Sequence, residues 1–307
     1  MKCLVTGGSG FIGSHVVDKL MEAGYEVRIF DMRKPKYQEE VDFYKGSILD
    51  FEELRMASDD IDVVFHLAAV ADVNLVVKNP FHAHRINVEG TANLLEAMRY
   101  NGVKRIVYAS TVWVYGHGIY GVKEKEDDRI PPPSHFYTAT KVAGEHYCMA
   151  YANHYDLEYT ILRYGIPYGP RARATAVIPV FVSKVFKGEP VTIAGDGYQT
   201  RNFLYVEDLA KAHVQVLKNL EKTKNQIYNI DGHYSISIKT IPELIKSAVL
   251  HYGISSVEVK HVAGRRVDFS GQEASIKKAR RELDWEPETS FEEGLSRYIQ
   301  WYVENQK

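Results

Sequence analysis

Apolar and polar positions form two alternating patterns along the first half of the chain. Short runs of β-branched and other apolar residues predict strands over Lys2–Thr6, Glu26–Asp31, Val63–Ala68 and Arg105–Ala109. Between them, apolar residues recur at helical spacing over Ser14–Ala23, Phe51–Ala57 and Ala83–Tyr100. Because strands that are apolar almost throughout must be covered on both faces, the alternation predicts an α/β fold with a doubly wound parallel sheet.

This regular alternation ends near 165–170, where Pro167, Gly169 and Pro170 interrupt the chain. Beyond this point strands and helices alternate less regularly, which indicates a smaller α/β lobe. We therefore predict a first domain over residues 1–168 and a second lobe over 169–307. Segments around 201–231 are expected to return to the first domain.

The composition is that of an ordinary globular protein. The 307 residues are 45% hydrophobic and 25% charged, and 38 Lys and Arg against 40 Asp and Glu give a net charge of −2. This balance argues against a nucleic-acid partner. Cys3 and Cys148 are too few for a disulfide framework, and no run approaches the ~18 apolar residues of a membrane span. Because the first residues also lack the apolar core of a secretory signal, we expect a cytoplasmic protein without a membrane partner.

A glycine-rich loop follows the first predicted strand and precedes a predicted helix. Gly7, Gly10 and Gly13 are spaced G-x-x-G-x-x-G, which allows a tight turn and close approach of the backbone to a diphosphate. Asp31 ends the second predicted strand, where a carboxylate can accept hydrogen bonds from an adenosine ribose. Since this carboxylate would repel a 2′-phosphate, the pattern favours NAD over NADP.

Two Tyr-x-x-x-Lys pairs occur, and only one of them is suited to proton transfer. Asn101-Gly102 interrupts the predicted helix between Tyr100 and Lys104, whereas nothing interrupts it between Tyr137 and Lys141. Spacing of i,i+4 places Tyr137 and Lys141 on one helical face. A free phenol has a pKa near ~10, and a neighbouring ammonium favours its ionised form, so this pair predicts a general base.

Together these motifs resemble the extended short-chain dehydrogenase/reductase family, which contains NAD-dependent epimerases and dehydratases. The strongest similarity is to nucleotide-sugar epimerases of the UDP-glucose 4-epimerase type. The further matching segments are DVVFHLAA (62–69), STVWVYG (110–116), Arg163-Tyr164, GDGYQTRNF (195–203), RRVD (265–268) and WEP (285–287). The resemblance implies a Rossmann domain that binds NAD, a lobe that binds the substrate, and a homodimer in which helices near Ala83–Tyr100 and Thr138–Asn153 pair.

The resemblance also implies a role for each residue that matches a family motif. Tyr137 is the expected base, Lys141 also holds the nicotinamide ribose, and Thr111 bonds the reacting sugar hydroxyl. The residues implied in cofactor binding are Gly7, Gly10, Phe11, Ile12, Gly13, Asp31, Ile48, Leu67, Ala68, Ala69, Ser110, Tyr137, Lys141 and Tyr164. Tyr164 is expected on a loop that faces the cofactor. The residues implied in binding a nucleotide-diphosphate sugar, with UDP-hexose favoured, are Thr111, Val177, Thr192, Arg201, Arg265 and Asp268.

The two positions after Thr111 separate the reactions of the family. Its 4,6-dehydratases carry Asp-Glu there and its decarboxylases keep the Glu, whereas this chain has Val112 and Trp113. Neither side chain transfers protons, which favours a 4-epimerase: Tyr137 takes the O4 proton while C4 passes a hydride to NAD, and the 4-keto sugar turns over before the hydride returns. A reductase of 4-keto sugars is the main alternative, a dehydratase a weaker one, and a non-catalytic NAD or RNA binder is disfavoured by the intact Tyr137/Lys141 pair.

Several positions depart from the family pattern or match no motif. Ile166 replaces an Asn, Asn202 replaces an Asp, and Ala176 stands where bacterial epimerases have Asn. These departures affect the choice of sugar and base more than the fold. His82-x-His84 lacks further ligands for a metal, and we interpret the basic segment 171–173 as a surface loop rather than part of a phosphate site.

Overall fold

A computed structural model describes residues 1–116, 122–264 and 273–305. The strands are β1 (Lys2–Thr6), β2 (Glu26–Asp31), β3 (Asp42–Lys45), β4 (Val63–His66), β5 (Arg105–Thr111), β6 (Lys123–Glu124), β7 (Glu158–Tyr164), β8 (Ile166–Tyr168), β9 (Val191–Ala194), β10 (Thr200–Tyr205), β11 (Gln226–Ile230), β12 (Ser235–Ser237), β13 (Val259–Val262) and β14 (Glu273–Ala274). The α-helices are α1 (Phe11–Glu22), α2 (Phe51–Ala57), α3 (Val73–Lys78), α4 (Pro80–His84), α5 (Gly90–Asn101), α6 (Phe136–Tyr155), α7 (Val177–Phe186), α8 (Val206–Lys218), α9 (Leu220–Thr223), α10 (Ile241–Val249), α11 (Lys277–Leu283) and α12 (Phe291–Glu304).

The predicted doubly wound parallel sheet is confirmed. Seven strands pair in the order β11-β7-β5-β4-β1-β2-β3, and every neighbouring pair is parallel. All four strands predicted from the pattern lie in this sheet. The strand predicted over Val63–Ala68 ends at His66, although the next residue, Leu67, still donates its amide to the Thr6 carbonyl of β1 at 3.1 Å. Helices cover both faces, so the central strands are buried throughout.

The helix predicted over Ala83–Tyr100 is divided in the structure. One α-helix ends at His84, a π-helical turn covers Arg85–Glu89, and α5 continues from Gly90 to Asn101. Gly102 then adopts a left-handed conformation with φ 73° and ends the helix, because glycine has no Cβ to oppose a positive φ. This confirms that Tyr100 and Lys104 do not share a helix.

The second half of the chain builds a smaller lobe and also completes the large sheet. The lobe contains a three-stranded sheet in the order β12-β10-β8 and the parallel pair β13-β9, which pack with α7, α10 and α12. In contrast, β11 forms the edge of the seven-stranded sheet, and α8 packs against α1 on one of its faces. The division of the chain at residue 168 into a cofactor domain and a substrate lobe stays a prediction.

Among the helices of the described ranges, none is long and apolar enough to cross a lipid bilayer. Both cysteines are buried as free thiols, Cys3 in β1 and Cys148 in α6. Within the same ranges, no three His, Cys, Asp or Glu side chains lie close enough together to hold a metal ion.

Candidate active site

The glycine loop between β1 and α1 is packed too closely to accept side chains. Gly7 has φ 73°, and a Cβ there would lie 2.7 Å from the Ala68 backbone nitrogen. A Cβ on Gly13 would lie 2.2 Å from the Gly7 carbonyl oxygen. Gly10 caps α1 without a side-chain hydrogen bond, so the first amides of this 12-residue helix are open to an anion. The loop therefore fits the diphosphate of a dinucleotide.

Asp31 lies beside this loop at the carboxyl end of β2. Its carboxylate accepts hydrogen bonds from the backbone amides of Ser9, at 3.2 Å, and Arg33, at 3.0 Å. These bonds fix an acceptor next to the glycine loop, where the adenosine ribose of NAD is expected. The Asp31 carboxylate and the glycine loop together fit NAD. Phe11 and Ile12 are the first residues of α1, directly after the loop.

The segment after β4 forms the opposite wall of the expected cofactor site. Leu67 donates its amide to the Thr6 carbonyl at 3.1 Å, and the Ala68 amide donates to Thr6 Oγ1 at 3.3 Å. Residues 67–69, including Ala69, thus lie against the carboxyl end of β1. Ile48 is buried against Gly90 at the start of α5. Its contact with cofactor stays a prediction.

Tyr137 and Lys141 lie one turn apart near the start of α6, as the spacing predicts. Lys141 is buried, and its Nζ donates to the Ala109 carbonyl oxygen of β5 at 2.8 Å. Burial lowers the pKa of Lys141 to about 8, although Cys148 and Glu145 oppose this effect. Burial raises the pKa of Tyr137 to about 12, opposed by the positive charge of Arg173. Tyr137 therefore needs additional positive charge in the assembled site to act as a base near neutral pH.

Thr111 ends β5, and the short 3₁₀ turn that follows it carries Trp113. The Thr111 hydroxyl oxygen accepts the Trp113 amide at 3.2 Å and caps this turn. The Trp113 ring meets the Tyr137 ring edge to face, at 6.1 Å between centroids and 88° between planes. The indole is thus an apolar wall directly beside the expected base.

A small cavity of about 10 Å³ lies next to this wall, at the carboxyl ends of β5, β7 and β11. This is the edge of the sheet where ligands bind in doubly wound folds. Its lining residues are Val112, Trp113, Gly165, Ile166, Thr200, Arg201, Asn202 and Asp231. The structure thus brings Arg201, from β10 of the second lobe, to the same cavity as Trp113. Arg201 Nη1 also donates to the Thr200 carbonyl at 2.8 Å.

The remaining residues predicted to bind substrate lie elsewhere in the second lobe or outside the described ranges. Val177 is the first residue of α7. Thr192 lies in β9 and is hydrogen bonded to Lys184 Nζ. Arg265 and Asp268 fall outside the described residues. The roles of all four in substrate binding stay predictions.

Tyr164 is not on a loop, contrary to expectation. It is the last residue of β7, pairs in register with Thr111 and is buried. Its hydroxyl contacts His213 Nε2 at 2.6 Å, and His213 Nδ1 contacts the Leu209 carbonyl at 3.0 Å. Since a carbonyl only accepts, Nδ1 carries the proton and the Tyr164 hydroxyl donates to Nε2. Tyr164 belongs to the strand because β11 pairs with β7 as far as this residue.

A buried ionic network behind the Tyr137/Lys141 pair was missed in the sequence. Glu145 Oε1 accepts Arg163 Nε at 3.0 Å, and Oε2 accepts Nη2 at 2.8 Å. Ser110 donates its hydroxyl to the same carboxylate, so this hydroxyl bonds within the protein. Arg163 Nη1 donates to the Tyr115 hydroxyl at 2.8 Å. The available signal was the spacing of Glu145, four residues after Lys141 on one helix.

Asp231 is a second residue that sequence reasoning missed. This fully buried carboxylate follows β11 and lines the cavity. It accepts the amides of Gly232, at 2.8 Å, and Ala274, at 3.1 Å, and Asn202 Nδ2 at 3.2 Å. Burial raises its pKa to about 7. The Asp-Gly pair after a strand was its sequence signal, and the bond from Asn202 gives that unusual residue a partner.

The basic segment 171–173 crosses from the second lobe to the first domain. Arg171 Nη1 pairs with Asp18 of α1 at 2.6 Å, and its guanidinium lies over the Tyr37 ring at 4.1 Å. Arg173 instead extends to Ala71 and Asp72, at the start of α3. The two arginines therefore point to different parts of the first domain.

Fold and site together define a dinucleotide-binding α/β protein with a Tyr/Lys pair near a small cavity at the carboxyl ends of the strands. The profile of the NAD dependent epimerase/dehydratase family matches residues 3–231, and the chain belongs to this family. The cofactor of this family is NAD, in agreement with the prediction from Asp31 and the glycine loop.

The chain is similar over its whole length to proteins named as epimerases. It is 37% identical to a putative UDP-glucose 4-epimerase from Methanocaldococcus jannaschii, with 99% of each chain covered. It superimposes with a TM-score of 0.92 and 33% identity on the UDP-glucose 4-epimerase of Thermotoga maritima with UDP-glucose, with 100% of each chain covered. It also superimposes on the UDP-glucose 4-epimerase of Thermus thermophilus in complex with NAD, with a TM-score of 0.90 and 33% identity. This match covers 99% of this chain and 100% of the other.

Relatives with other reactions are almost as similar. A UDP-N-acetyl-alpha-D-glucosaminuronate decarboxylase from Bacillus cytotoxicus is 34% identical over 99% of this chain and 98% of its own. The human dTDP-D-glucose 4,6-dehydratase is 32% identical over 99% of this chain and 90% of its own. Overall similarity therefore identifies the family, and the choice of reaction depends on the residues of the site.

Proposed function

We propose that the protein is an NAD-dependent nucleotide-sugar 4-epimerase of the UDP-glucose/UDP-galactose type, with Tyr137 as the base. The observation that carries this proposal is the contact between Trp113 and Tyr137. It puts an apolar ring at the position where relatives that eliminate water or carbon dioxide need acidic side chains. What remains beside Tyr137 is suited to proton transfer at one sugar hydroxyl.

In this proposal, Tyr137 takes the proton from the O4 hydroxyl and later returns it. Bound NAD would supply the hydride acceptor and donor at C4. The residues that would hold it are the glycine loop with Asp31, the segment 67–69 and Lys141. Lys141 donates its ammonium to the Ala109 carbonyl of β5, and Thr111, the last residue of β5, would bond the reacting hydroxyl. A 4-keto sugar then turns over beside the apolar Trp113 face before it is reduced on its other side.

The side chains that line the cavity favour epimerisation over dehydration. Elimination of water across C5 and C6 needs a base and an acid at that edge of the sugar. Val112 and Trp113 provide neither. Asp231 is the one acidic side chain among the described residues that line the cavity, so the acid and base pair that elimination needs is not present among them.

The proposal is tested by incubating the purified protein with UDP-glucose and no added cofactor. We expect proton NMR to show UDP-galactose appearing until both sugars reach equilibrium. No turnover of UDP-glucose, together with reduction of a 4-keto nucleotide sugar that consumes NADH or NADPH in proportion to product, would identify a reductase. A C6 methyl doublet from UDP-glucose or dTDP-glucose would identify a dehydratase, and either result would replace the proposal.

A further inference from the structure

Lys141 carries the positive charge of the Tyr137/Lys141 pair, and this charge is almost completely buried. Only 4% of the residue is exposed, and its Nζ donates to the Ala109 carbonyl at 2.8 Å. Because burial favours the neutral amine, it lowers the pKa of Lys141 to about 8. A neighbouring positive charge favours the ionised form of Tyr137, so the groups that surround Nζ affect proton transfer.

The ionisable groups around Lys141 compensate for its burial only in part. In the described part of the chain, Lys141 forms no ion pair with a carboxylate within 4.0 Å. Glu145 and Cys148 on α6 raise its pKa, but the Glu145 carboxylate is bonded to Arg163. Burial raises the pKa of the Cys148 thiol, which stays neutral. His66 on β4 is also neutral, because burial and the charge of Lys141 lower its pKa to about 3.

The ring of Tyr108 lies against the same ammonium. Lys141 Nζ lies over the face of this ring, 5.0 Å from its centroid. This distance is within the ~6 Å at which the negative face of an aromatic ring attracts a cation. Burial raises the pKa of the Tyr108 phenol well above its usual value, so the ring is neutral. Tyr108 and Ala109 are consecutive residues of β5, and they contact the ammonium with a ring face and a carbonyl.

Two neighbouring elements hold this ring in place. Tyr108 pairs in register with His66 of β4, and the centroids of the two rings lie 5.8 Å apart. On α6, Gly144 leaves room for the phenol, since a Cβ there would lie 2.0 Å from its hydroxyl oxygen. Gly144 follows Lys141 by three residues, so both lie on the face of α6 that meets the ring. The contact between ring and ammonium is therefore part of the packing of α6 on the sheet.

We propose that Tyr108 is a positioning residue of the active site, whose ring face stabilises the Lys141 ammonium beside β5. The inference rests on the proposed function, because it takes this charge to assist Tyr137 in removing the O4 proton. The ring favours the charged form of Lys141, which burial opposes. This is a role of the ring face, and the phenol hydroxyl has no part in it. Phenylalanine should therefore replace tyrosine at this position, and leucine should not.

The first measurement is the pKa of Lys141, by NMR of carbon-13-labelled lysine side chains in the purified protein. The signal of Lys141 is the one that is absent from Lys141→Arg. Tyr108→Leu should lower this pKa by about one pH unit, equal to a tenfold loss of proton affinity, and Tyr108→Phe should leave it nearly unchanged. A trifluorinated phenylalanine at position 108 keeps the shape of the ring but withdraws electrons from its face. It should lower the pKa by a smaller amount.

Phe65 provides the matched control. It is a buried ring on the neighbouring strand β4, but it packs in the core on the other face of the sheet. Phe65→Leu and a trifluorinated phenylalanine at position 65 should leave the pKa of Lys141 unchanged. Melting temperatures will show which variants are folded. If Tyr108→Leu is not, the trifluorinated ring at position 108 decides, because it hardly changes the packing.

The second measurement is kcat/KM for UDP-glucose between pH 6 and 9. The rate should fall as Lys141 loses its proton, and in Tyr108→Leu this fall should begin about one pH unit lower than in the wild type. The variant should therefore be about fivefold slower than the wild type at pH 8 and differ by less than about twofold at pH 6. An equal loss of rate at both pH values would mean that Tyr108 has only a structural role, and would overturn the inference.

Three further results would overturn it. An unchanged pKa of Lys141 with the trifluorinated ring at position 108 would show that the ring face does not stabilise the ammonium. Equal decreases caused by the changes at Phe65 would indicate a general effect of core packing. A loss of rate in Tyr108→Phe as large as in Tyr108→Leu would assign the role to the hydroxyl.

A wild type that does not turn over UDP-glucose would refute the proposed function instead. The NMR series then decides separately whether the Tyr108 ring stabilises the charge of Lys141. A decrease in this pKa that is confined to the changes at position 108 supports the contact, and equal values in all variants refute it.

Discussion

Arg163 and Glu145 form a bidentate ion pair inside the protein, with N···O distances of 3.0 and 2.8 Å. Arg163 also donates a hydrogen bond to the Tyr115 hydroxyl, and Glu145 lies one helical turn after Lys141 on α6. The pair therefore connects β7 to the helix that carries the proposed base. Although burial opposes it, hydrogen bonding to Glu145 raises the pKa of Arg163, which stays charged.

We expect Glu145→Gln to lower the free energy of unfolding by about 3–5 kcal/mol, because it leaves the buried Arg163 charge without its partner. Urea denaturation measures the change. Glu52→Gln removes the exposed partner of Arg55 and should cause little change. Equal losses in the free energy of unfolding would mean that the buried ion pair stabilises the protein no more than the exposed one.

Tyr137→Phe should reduce turnover by about 10²- to 10⁴-fold, the contribution of a general base, while leaving UDP-sugar binding nearly unchanged. Tyr100→Phe is the control, since Tyr100 is exposed at the end of α5. Initial rates with UDP-glucose are the measurement. If both variants retain activity, Tyr137 is not the base.

The protein as purified should contain NAD, not NADP, and Gly7→Ala should weaken its binding by about tenfold or more, equivalent to 1.4 kcal/mol. The added methyl would collide with Ala68, which the glycine loop approaches closely. Gly24→Ala is matched in backbone strain, with φ 82°, but its Cβ would meet nothing within 4 Å. Acid release and chromatography of the nucleotide measure the content. An unchanged NAD content in Gly7→Ala would contradict the placement of the cofactor.

Buried His213 should make the protein less stable in acid. Burial lowers its pKa from the usual 6.5 to about 4, so between these values the unfolded chain binds one more proton than the folded one. Its contribution to stability is complete above pH 6.5 and is lost as the pH falls, by about 1.4 kcal/mol per pH unit. His213→Gln should make the dependence of stability on pH less steep by this amount, because buried His66 keeps its own contribution, and exposed His82→Gln should leave the dependence as in the wild type. Urea denaturation between pH 4 and 7 gives the slopes, and identical slopes would refute the assignment.

We predict that the protein forms a homodimer. Tyr147 and Tyr155 are large exposed side chains on α6, one of the helices expected to pair. Light scattering at micromolar concentration should give about 70 kDa, twice the 35.0 kDa chain. A particle of 35 kDa would exclude the dimer.

The sequence alone determined the parts of the protein that depend on neighbouring residues. The parallel sheet, the glycine loop before α1 and the Tyr137/Lys141 pair could all be predicted, because strand and helix periodicity and φ preferences depend on a few neighbouring positions. The helix break at Gly102 could be predicted for the same reason. Boundaries such as the division of the helix around Arg85–Glu89 were not, since packing against α6 decides them.

Only the tertiary structure decided which distant side chains meet. Glu145 and Arg163 are 18 positions apart, and Arg173 lies 102 positions from Ala71. Such pairs form because the order of strands in the sheet and the docking of the second lobe bring their elements together, and no local pattern records that order. The same holds for Trp113, which a sequence shows as an apolar residue and the fold places against Tyr137. Local periodicity thus set the framework, and long-range packing set the chemistry of the cleft.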